Sequence, residues 1–579
     1  MKEHQAREII FEEKVKKLLQ DSNYINIVEQ NIPGRSSSHG INSYGKLRIV
    51  TGINPSLFSY KIRAGESFET PEAVMTYGYA GFNSMSHNMH DFVNNHIVRG
   101  KWKNRVRPIL LNSWEAAYFN INEKKLLRLA KAGKEAGVEL FVMDDGWFGE
   151  RNDDTSSLGD WTPNEKKLPG GIREIADKIK ALGLDFGIWV EPEMVNVKSR
   201  LYEKHPEWVV DIPEKSHSEG RNQRILDLSN TEVQDYIIEQ MSNIFSSADI
   251  SYVKWDMNRI FSDYYSKNLP PERQGEMAHR YVCGLYHCMR ELTKRFPDIL
   301  FEGCSAGGNR FDLGILCYFP QIWASDNTDA LCRTQIQYNY SYGYPLSCIS
   351  AHVSASPNHQ TLRNMPLETR FAVAAFGNLG YEFNLCDLPK DEFMAVKAQI
   401  ELYKKWREVI QYGTFYRREC FDNRNSRNHG VLNNGAGNNA SWCVASKDMS
   451  KAVGFTMQKL VVPNTQFACF FANGLKDDAV YHFYNRRLKH NIKEFGELVN
   501  MVSPVHIKQG SLVQELASKF VKLDGETEDY TAYGDTLMYA GVKLKQSFSA
   551  TGYSEDVRLY QDFAARLYFM EEVNADDNA

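Results

Sequence analysis

The chain has 579 residues, with 68 Lys and Arg against 73 Asp and Glu, a formal net charge of -5 at pH 7, 42% hydrophobic residues and 24% charged residues. These values belong to a globular protein with core enough for about two to four domains, so disorder and collagen-like repetition are excluded. No broad positive field is available for a nucleic acid or an anionic membrane; neither is an expected partner, and the expected ligand is neutral or small.

The first 23 residues carry charges every few positions, with no apolar run and no small-residue cleavage site, so they read as a charged helix rather than a secretory signal. An internal, cytoplasmic protein is expected. A Ser/Gly-rich stretch at 34–44 and two or three strand-like runs follow, and residues 1–105 form no complete domain. From 106 to 413 short apolar strands alternate with amphipathic helices. Strands are expected at 109–111, 140–143, 186–190, 224–228, 252–255, 299–301, 321–323 and 346–349. Helices are expected from Glu123, capped by Asn122 and buried through Leu126, Leu129, Ala130, Gly133 and Ala136, and again over 172–181. Eight strands in this rhythm over about 300 residues predict a (β/α)8 barrel. A doubly wound sheet is the alternative, but no G-x-G-x-x-G follows the first strand and no G-x-x-x-x-G-K-[ST] occurs.

The least polar stretches, 313–325 and 371–381, are too short to span a bilayer. A long helix over 394–412 leads into strands at 440–446, 452–458, 480–484 and 537–544, which predict a C-terminal β-sandwich over 414–579. The ten cysteines form no C-x-x-C pair and read as reduced thiols.

Chemistry in a barrel sits at the C-terminal ends of the strands. Here strand after strand ends in a polar cluster: Asp144-Asp145-Gly146-Trp147, Glu191-Pro192-Glu193, Lys254-Trp255-Asp256-Met257-Asn258-Arg259, Glu302-Gly303-Cys304, and Trp323 followed by Ser325-Asp326-Asn327-Thr328-Asp329. One such acid is ordinarily a cap or a loop salt bridge. Recurrence around one mouth instead suits a polyhydroxylated, uncharged substrate, with acids and Lys on hydroxyls and Trp on the C–H face, and points to a glycosidase. Other chemistries fit less well. His87 and His96 fall on opposite faces of a helix, so with His90 they form no ligand set, and no metal is expected. Gly303-Cys304-Ser305-Ala306-Gly307 matches G-x-S-x-G, but Gly308-Asn309 continue the loop where a nucleophile elbow starts a helix. Cys304 has no His-bearing motif to activate it.

These runs, with Trp189-Val190-Glu191-Pro192-Glu193-Met194, resemble the bacterial α-galactosidases of glycoside hydrolase family 36 over about residues 68–559. The resemblance implies retaining hydrolysis of terminal α-galactose from melibiose- and raffinose-type oligosaccharides, without cofactor or metal. It assigns Asp256 as nucleophile and Asp326 as acid/base. Sugar contacts carry over to Trp114, Asp144, Asp145, Trp189, Arg221, Lys254, Asn258, Cys304 and Trp323; only order along the chain separates Arg221 from Arg224. Asp144 and Asp145 would accept hydrogen bonds from galactose O4 and O6, the bland alternative being a capping turn. Lys254 lies two residues from Asp256 on one strand, shares its face and favours its charge. Retaining geometry sets the two carboxyls about 5–5.5 Å apart.

The resemblance also implies a homo-oligomer and an N-terminal β-sandwich, of which residues 1–105 represent the last strands and a connector. Phe58, Tyr60, Ile62, Val74 and Met75 are then expected to lie uncovered. The loop after Cys304 is less glycine-rich than is usual in the family. Within the family, α-N-acetylgalactosaminidase and transgalactosylation are the alternative activities; outside enzymes, the alternative is a non-catalytic sugar binder, against which the two intact acids stand.

Overall fold

The computed structural model describes residues 35–41, 47–421, 437–461, 468–501, 503–545 and 558–573, with only the backbone for 35–41 and 47–51. The helix expected in the first 23 residues lies outside the described residues.

Eight strands close into a barrel in chain order: β1 (Leu110–Asn112), β2 (Leu140–Met143), β3 (Asp185–Val190), β4 (Tyr252–Trp255), β5 (Leu300–Gly303), β6 (Gln321–Trp323), β7 (Ile349–Ser354) and β8 (Asn378–Glu382). Each runs parallel to the next, and β8 returns to β1 with Gly380 opposite Leu110. The strands read as continuous apolar runs because helices cover one face and the packed lumen the other; β2 is buried along its whole length. The helix Glu123–Ala136 shows the local logic. The Asn122 side chain accepts the Lys125 N–H, Gly137 closes the helix at a left-handed φ of 101°, and the five expected residues form its buried face.

The expected strand at 224–228 is not in the barrel. Only Arg224–Ile225 is extended, paired antiparallel with Met194–Val195 in an excursion between β3 and β4. The eighth barrel strand is β8, which overlaps the end of the stretch 371–381 read only as apolar. Its sequence, Asn-Leu-Gly-Tyr-Glu, has no β-branched residue, and both polar ends are buried against partners. Asn378 Nδ2 donates to the Ser347 carbonyl at 2.8 Å, and His352 Nδ1 lies 2.8 Å from Glu382 Oε2. Residues Leu346–Cys348 form a helical turn that leads into β7.

After the helix Lys390–Tyr412 come β9 (Thr414–Cys420), β10 (Asn439–Ala445), β11 (Lys451–Gln458), β12 (Val480–Asn485), β13 (Asp529–Tyr533) and β14 (Ala565–Glu572). They form one antiparallel sheet in the order β9-β10-β11-β14-β12-β13. One face continues the barrel's hydrophobic core: Trp442 stacks on Phe455 at 4.1 Å, and Trp406 meets Phe569 at 5.0 Å. The other face is covered by a layer that includes the two-residue ladder Cys469–Phe470 with Val542–Lys543. Of the strand expected over 537–544, only Val542–Lys543 is extended; Thr536–Ala540 is a helical turn.

Residues 58–68 lie against the start of the helix Met277–Arg295, where the Ser59 N–H donates to the Gly275 carbonyl at 3.1 Å and the Lys61 N–H to Glu276 Oε1 at 3.0 Å. Phe58 and Tyr60 are half-buried against Phe68, and Phe68 sits 5.2 Å from His279, so these two are covered, contrary to expectation. Ile62, Val74 and Met75 are exposed as expected. His87 and His90 bond the carbonyls of Phe415 and Ser341, fastening the helix Phe82–Phe92 to the rest of the fold. Among the described residues no helix is long and apolar enough to cross a membrane.

Candidate active site

Five consecutive strands supply the mouth. Asp144 and Asp145 follow β2; Trp189 lies on β3, with Glu191 and Glu193 just beyond; Lys254 lies on β4 and Asp256 follows it; Cys304 follows β5; and Trp323 on β6 precedes Asp326. The backbone ladder runs one step past β4, where the Asp256 N–H donates to the Val190 carbonyl at 2.8 Å, so the carboxyl is fixed to the barrel rather than to a loop.

Asp256 is buried and held by donors on both oxygens. Oδ2 accepts Asn258 Nδ2 at 2.9 Å and Trp189 Nε1 at 3.2 Å, and Oδ1 accepts the Met257 N–H at 2.8 Å. Asp326 Oδ1 accepts Trp323 Nε1 at 3.0 Å. The Cys304 thiol lies between the two acids, 4.0 Å from Asp326 Oδ1 and hydrogen-bonded to Asp256. Burial, then the charges of Asp256 and Asp326, push that thiol well above its ordinary range, so it is a neutral donor and not a thiolate.

The two carboxyls titrate in opposite directions. Burial pushes Asp256 up, but Lys254, the Cys304 thiol, Asn258 and the Met257 N–H outweigh it and leave it below the usual carboxylate value. Asp326 is pushed up to about 6 by burial and by the charge of Asp256, with Lys254 and Trp323 opposing. The arrangement therefore offers one ionised and one protonated carboxyl in slightly acidic solution.

Lys254 is buried and donates to Asp144 Oδ2 at 3.0 Å. Burial pulls the ammonium down, but Asp144, Glu382 and Asp256 prevail and keep it a cation. Asn112 joins the same network, its Nδ2 on Asp144 Oδ2 at 2.7 Å and its Oδ1 accepting the Trp114 N–H at 2.7 Å. Trp114, half-buried, stands edge-on to Tyr118 and Phe119. Asp145 is gripped by the buried Arg151, with Nε 3.0 Å from Oδ1 and Nη2 2.8 Å from Oδ2. Of the expected residues, Arg221 alone stands apart. It is exposed in the loop before Arg224–Ile225, at a left-handed φ of 53°, while Arg224 bonds Glu219.

Sequence reasoning left out the layer behind these groups. Glu193 is fully buried and accepts Trp255 Nε1 at 2.8 Å, the Tyr281 hydroxyl at 2.6 Å and both contacts from Arg310 Nη1 at 2.8 and 2.9 Å. Glu191 accepts the Asn258 N–H and, at 3.0 Å, Gln223 Nε2; burial and then Asp256 push its carboxyl well above the ordinary range. Both glutamates stood in a strand-end cluster, which was the available signal. Arg310 and Tyr281 carried none, because their partners are far away in the chain.

The loop after Cys304 packs on the backbone that carries Asp326. Gly307 has a φ of 89°, and a Cβ there would lie 2.7 Å from Ser325 Cα and 2.8 Å from the Asp326 nitrogen. Gly307→Ala is therefore expected to displace Asp326 and lower kcat/KM by about 10- to 100-fold, since a shift on the ångström scale is enough for such a loss. Steady-state kinetics on a folded variant check this, and a wild-type kcat/KM would sink it.

The family model described as Melibiase matches residues 67–413, and that described as Glycosyl hydrolase family 36 C-terminal domain matches residues 439–570. The chain is 48% identical over 441 residues to alpha-galactosidase AgaA of Geobacillus stearothermophilus, covering 76% of this chain and 59% of that protein. It is 46% identical over 410 residues to alpha-galactosidase Mel36A of Lactobacillus acidophilus, covering 71% and 54%. The crystal structure of an AgaA variant in complex with raffinose superimposes with a TM-score of 0.78 at 40% identity, covering 94% of this chain and 68% of that one. The chain thus spans between half and three fifths of the length of these curated relatives. With the barrel and the C-terminal sheet each matched in turn, the chain belongs to glycosyl hydrolase family 36, the melibiase family.

Proposed function

We propose that the chain is a retaining α-galactosidase that removes terminal α-linked galactose from melibiose- and raffinose-type oligosaccharides. The observation that carries this reading is the split between the two acids, Asp256 held ionised and Asp326 raised to about 6 beside one shared thiol. Asp256 attacks the anomeric carbon while Asp326 gives its proton to the glycosidic oxygen; the C–O bond breaks, the aglycone leaves as an alcohol, and a galactosyl ester forms on Asp256. Asp326, now a carboxylate, takes a proton from water, which attacks the same carbon, releases α-galactose and frees Asp256. Trp189, Asn258 and the Met257 N–H hold the nucleophile's plane, and Lys254 offsets its charge. No cofactor enters. The raffinose-bound AgaA variant supports the substrate class. In this reading 106–413 is the catalytic unit, 1–105 the end of an N-terminal β-sandwich with its connector, and 414–579 a C-terminal β-sandwich.

Release of p-nitrophenol from its α-galactoside, against the α-glucoside and the β-galactoside, tests the activity. Proton NMR of the first-formed sugar tests the stereochemistry: α-galactose is expected, and initial β-galactose would overturn retention. Sugar choice rests on Asp144, which Asn112 and Lys254 aim from the mouth of β2. Asp144→Asn is expected to cost about 1.5–3 kcal/mol in transition-state binding, the worth of one charge-assisted hydrogen bond. The loss should shrink on the deoxy-galactoside lacking the contacted hydroxyl. Unchanged kcat/KM on melibiose would instead make this acid a structural group.

A further inference from the structure

Behind the acid/base, the helix Ala330–Tyr340 sends Arg333 inward until it is 2% exposed. None of its three guanidinium nitrogens has a hydrogen-bond partner among the described residues. Leaving a buried cation unpaired is costly. No carboxylate hydrogen-bonds to it: Glu382 and then Asp326 and Glu302 favour its charge only through space, with Glu382 bonded to His352 at 2.8 Å and Glu302 Oε2 to Gln321 at 2.7 Å and to Ser350. What Arg333 touches is Trp323, with its guanidinium carbon 4.2 Å from the ring centroid, and His352 packs on the same ring at 4.3 Å. Trp323 in turn donates to Asp326 Oδ1.

We propose that Arg333 is a positioning residue for proton transfer, fixing through its stack on Trp323 the indole N–H that holds Asp326 and lending its buried charge to the ionised form of that carboxyl. A cation over an indole face draws electron density from the ring and strengthens the N–H as a donor. The charged and titratable groups facing Asp326 are Asp256 and Lys254 from β4, Cys304 from β5, Glu382 from β8, His359 from the loop after β7, and Arg333. Burial, Asp256 and Glu382 favour the protonated form, while Lys254 and Trp323 oppose it. Arg333 adds to the opposing side and keeps the acid strong enough to give up its proton. The inference rests on the reading of Asp326 as acid/base.

The test compares the pH dependence of kcat/KM, and kcat on raffinose and on p-nitrophenyl α-galactoside, for the full chain and for Arg333→Gln, Arg333→Lys and Asp326→Ala. Arg333→Gln is expected to move the basic limb alkaline by about one pH unit and to lower kcat on raffinose by about tenfold, with little change on the aryl substrate, which needs no proton. Arg333→Lys keeps the charge and loses the planar stack, so its limb should stay while kcat on raffinose falls. A folded Arg333→Gln with a wild-type limb overturns the proposal, as does Arg333→Lys moving the limb equally far. If Arg333→Gln does not fold, Arg333→Lys decides, and wild-type behaviour on both substrates is the adverse result. Should Asp326→Ala retain the wild-type basic limb, the limb belongs to another group, and the acid/base reading falls together with this inference.

Discussion

Replacing Asp256 by Ala or Asn is expected to stop turnover of every α-galactoside, with kcat reduced about 10⁴-fold or more whatever the leaving group, because neither side chain can form the galactosyl ester. The structure makes this a clean substitution. Lys254 keeps Asp144 as its partner at 3.0 Å, so the change leaves no cation unpaired, and the melting temperature should move by a few degrees at most. Azide supplied to Asp256→Ala should attack from the vacated face and yield the β-galactosyl azide. Substantial residual turnover of p-nitrophenyl α-galactoside, or an α-azide from this variant, would mean that the two acids have exchanged roles.

Replacing Asp326 by Ala should separate substrates instead. A positioned general acid is worth about 10²- to 10⁴-fold, and that loss should fall on raffinose and melibiose, while p-nitrophenolate leaves nearly unaided. Azide should restore the second step and give the α-azide, the product of two inversions. The wild-type pH profile follows from the same pair. The proton on Asp326 is needed in the first step, so kcat/KM should fall as pH rises through about 6, the value to which burial and Asp256 raise it. Asp256 must be ionised, and its depressed value sets the acid limb below the usual carboxylate range. In Asp326→Ala the basic limb should disappear. Equal losses on aryl and natural substrates, with the limb intact, would refute the assignment.

How much of this was legible in the sequence depends on the distance over which each signal acts. Strand ends and caps are local, so Asn122, the runs after β2, β4 and β6, and the rhythm of the barrel could be read directly. β8 could not, because its polar ends are satisfied by Ser347 and His352, which no local pattern pairs with them. The excursion that contains Arg224–Ile225 imitates a barrel strand because its apolar residues are buried against the barrel's flank and not within the barrel. At the site, residue types announced a sugar, yet the indole N–H groups of Trp189 and Trp323 spend themselves on carboxylates, a role that composition cannot express. Arg310 acts on Glu193 across 117 positions of chain and was invisible for the same reason.

The core shared by the barrel and the C-terminal sheet divides the mouth into unequal halves. On the Asp256 side the helix Thr231–Ser247 buries a single stripe, Val233, Ile237, Ile238, Met241, Ile244 and Phe245, and keeps a solvent face. On the Asp326 side, six of the eight residues of Leu367–Ala374 are buried, and this helix is wedged between β7 and β14. Sequence drift thus has free room on one side and almost none on the other. Substitution on the outer face of Thr231–Ser247 therefore leaves the buried groups behind Asp256 in place, whereas any adjustment of the Asp326 half must be matched by a compensating change in the sheet behind it.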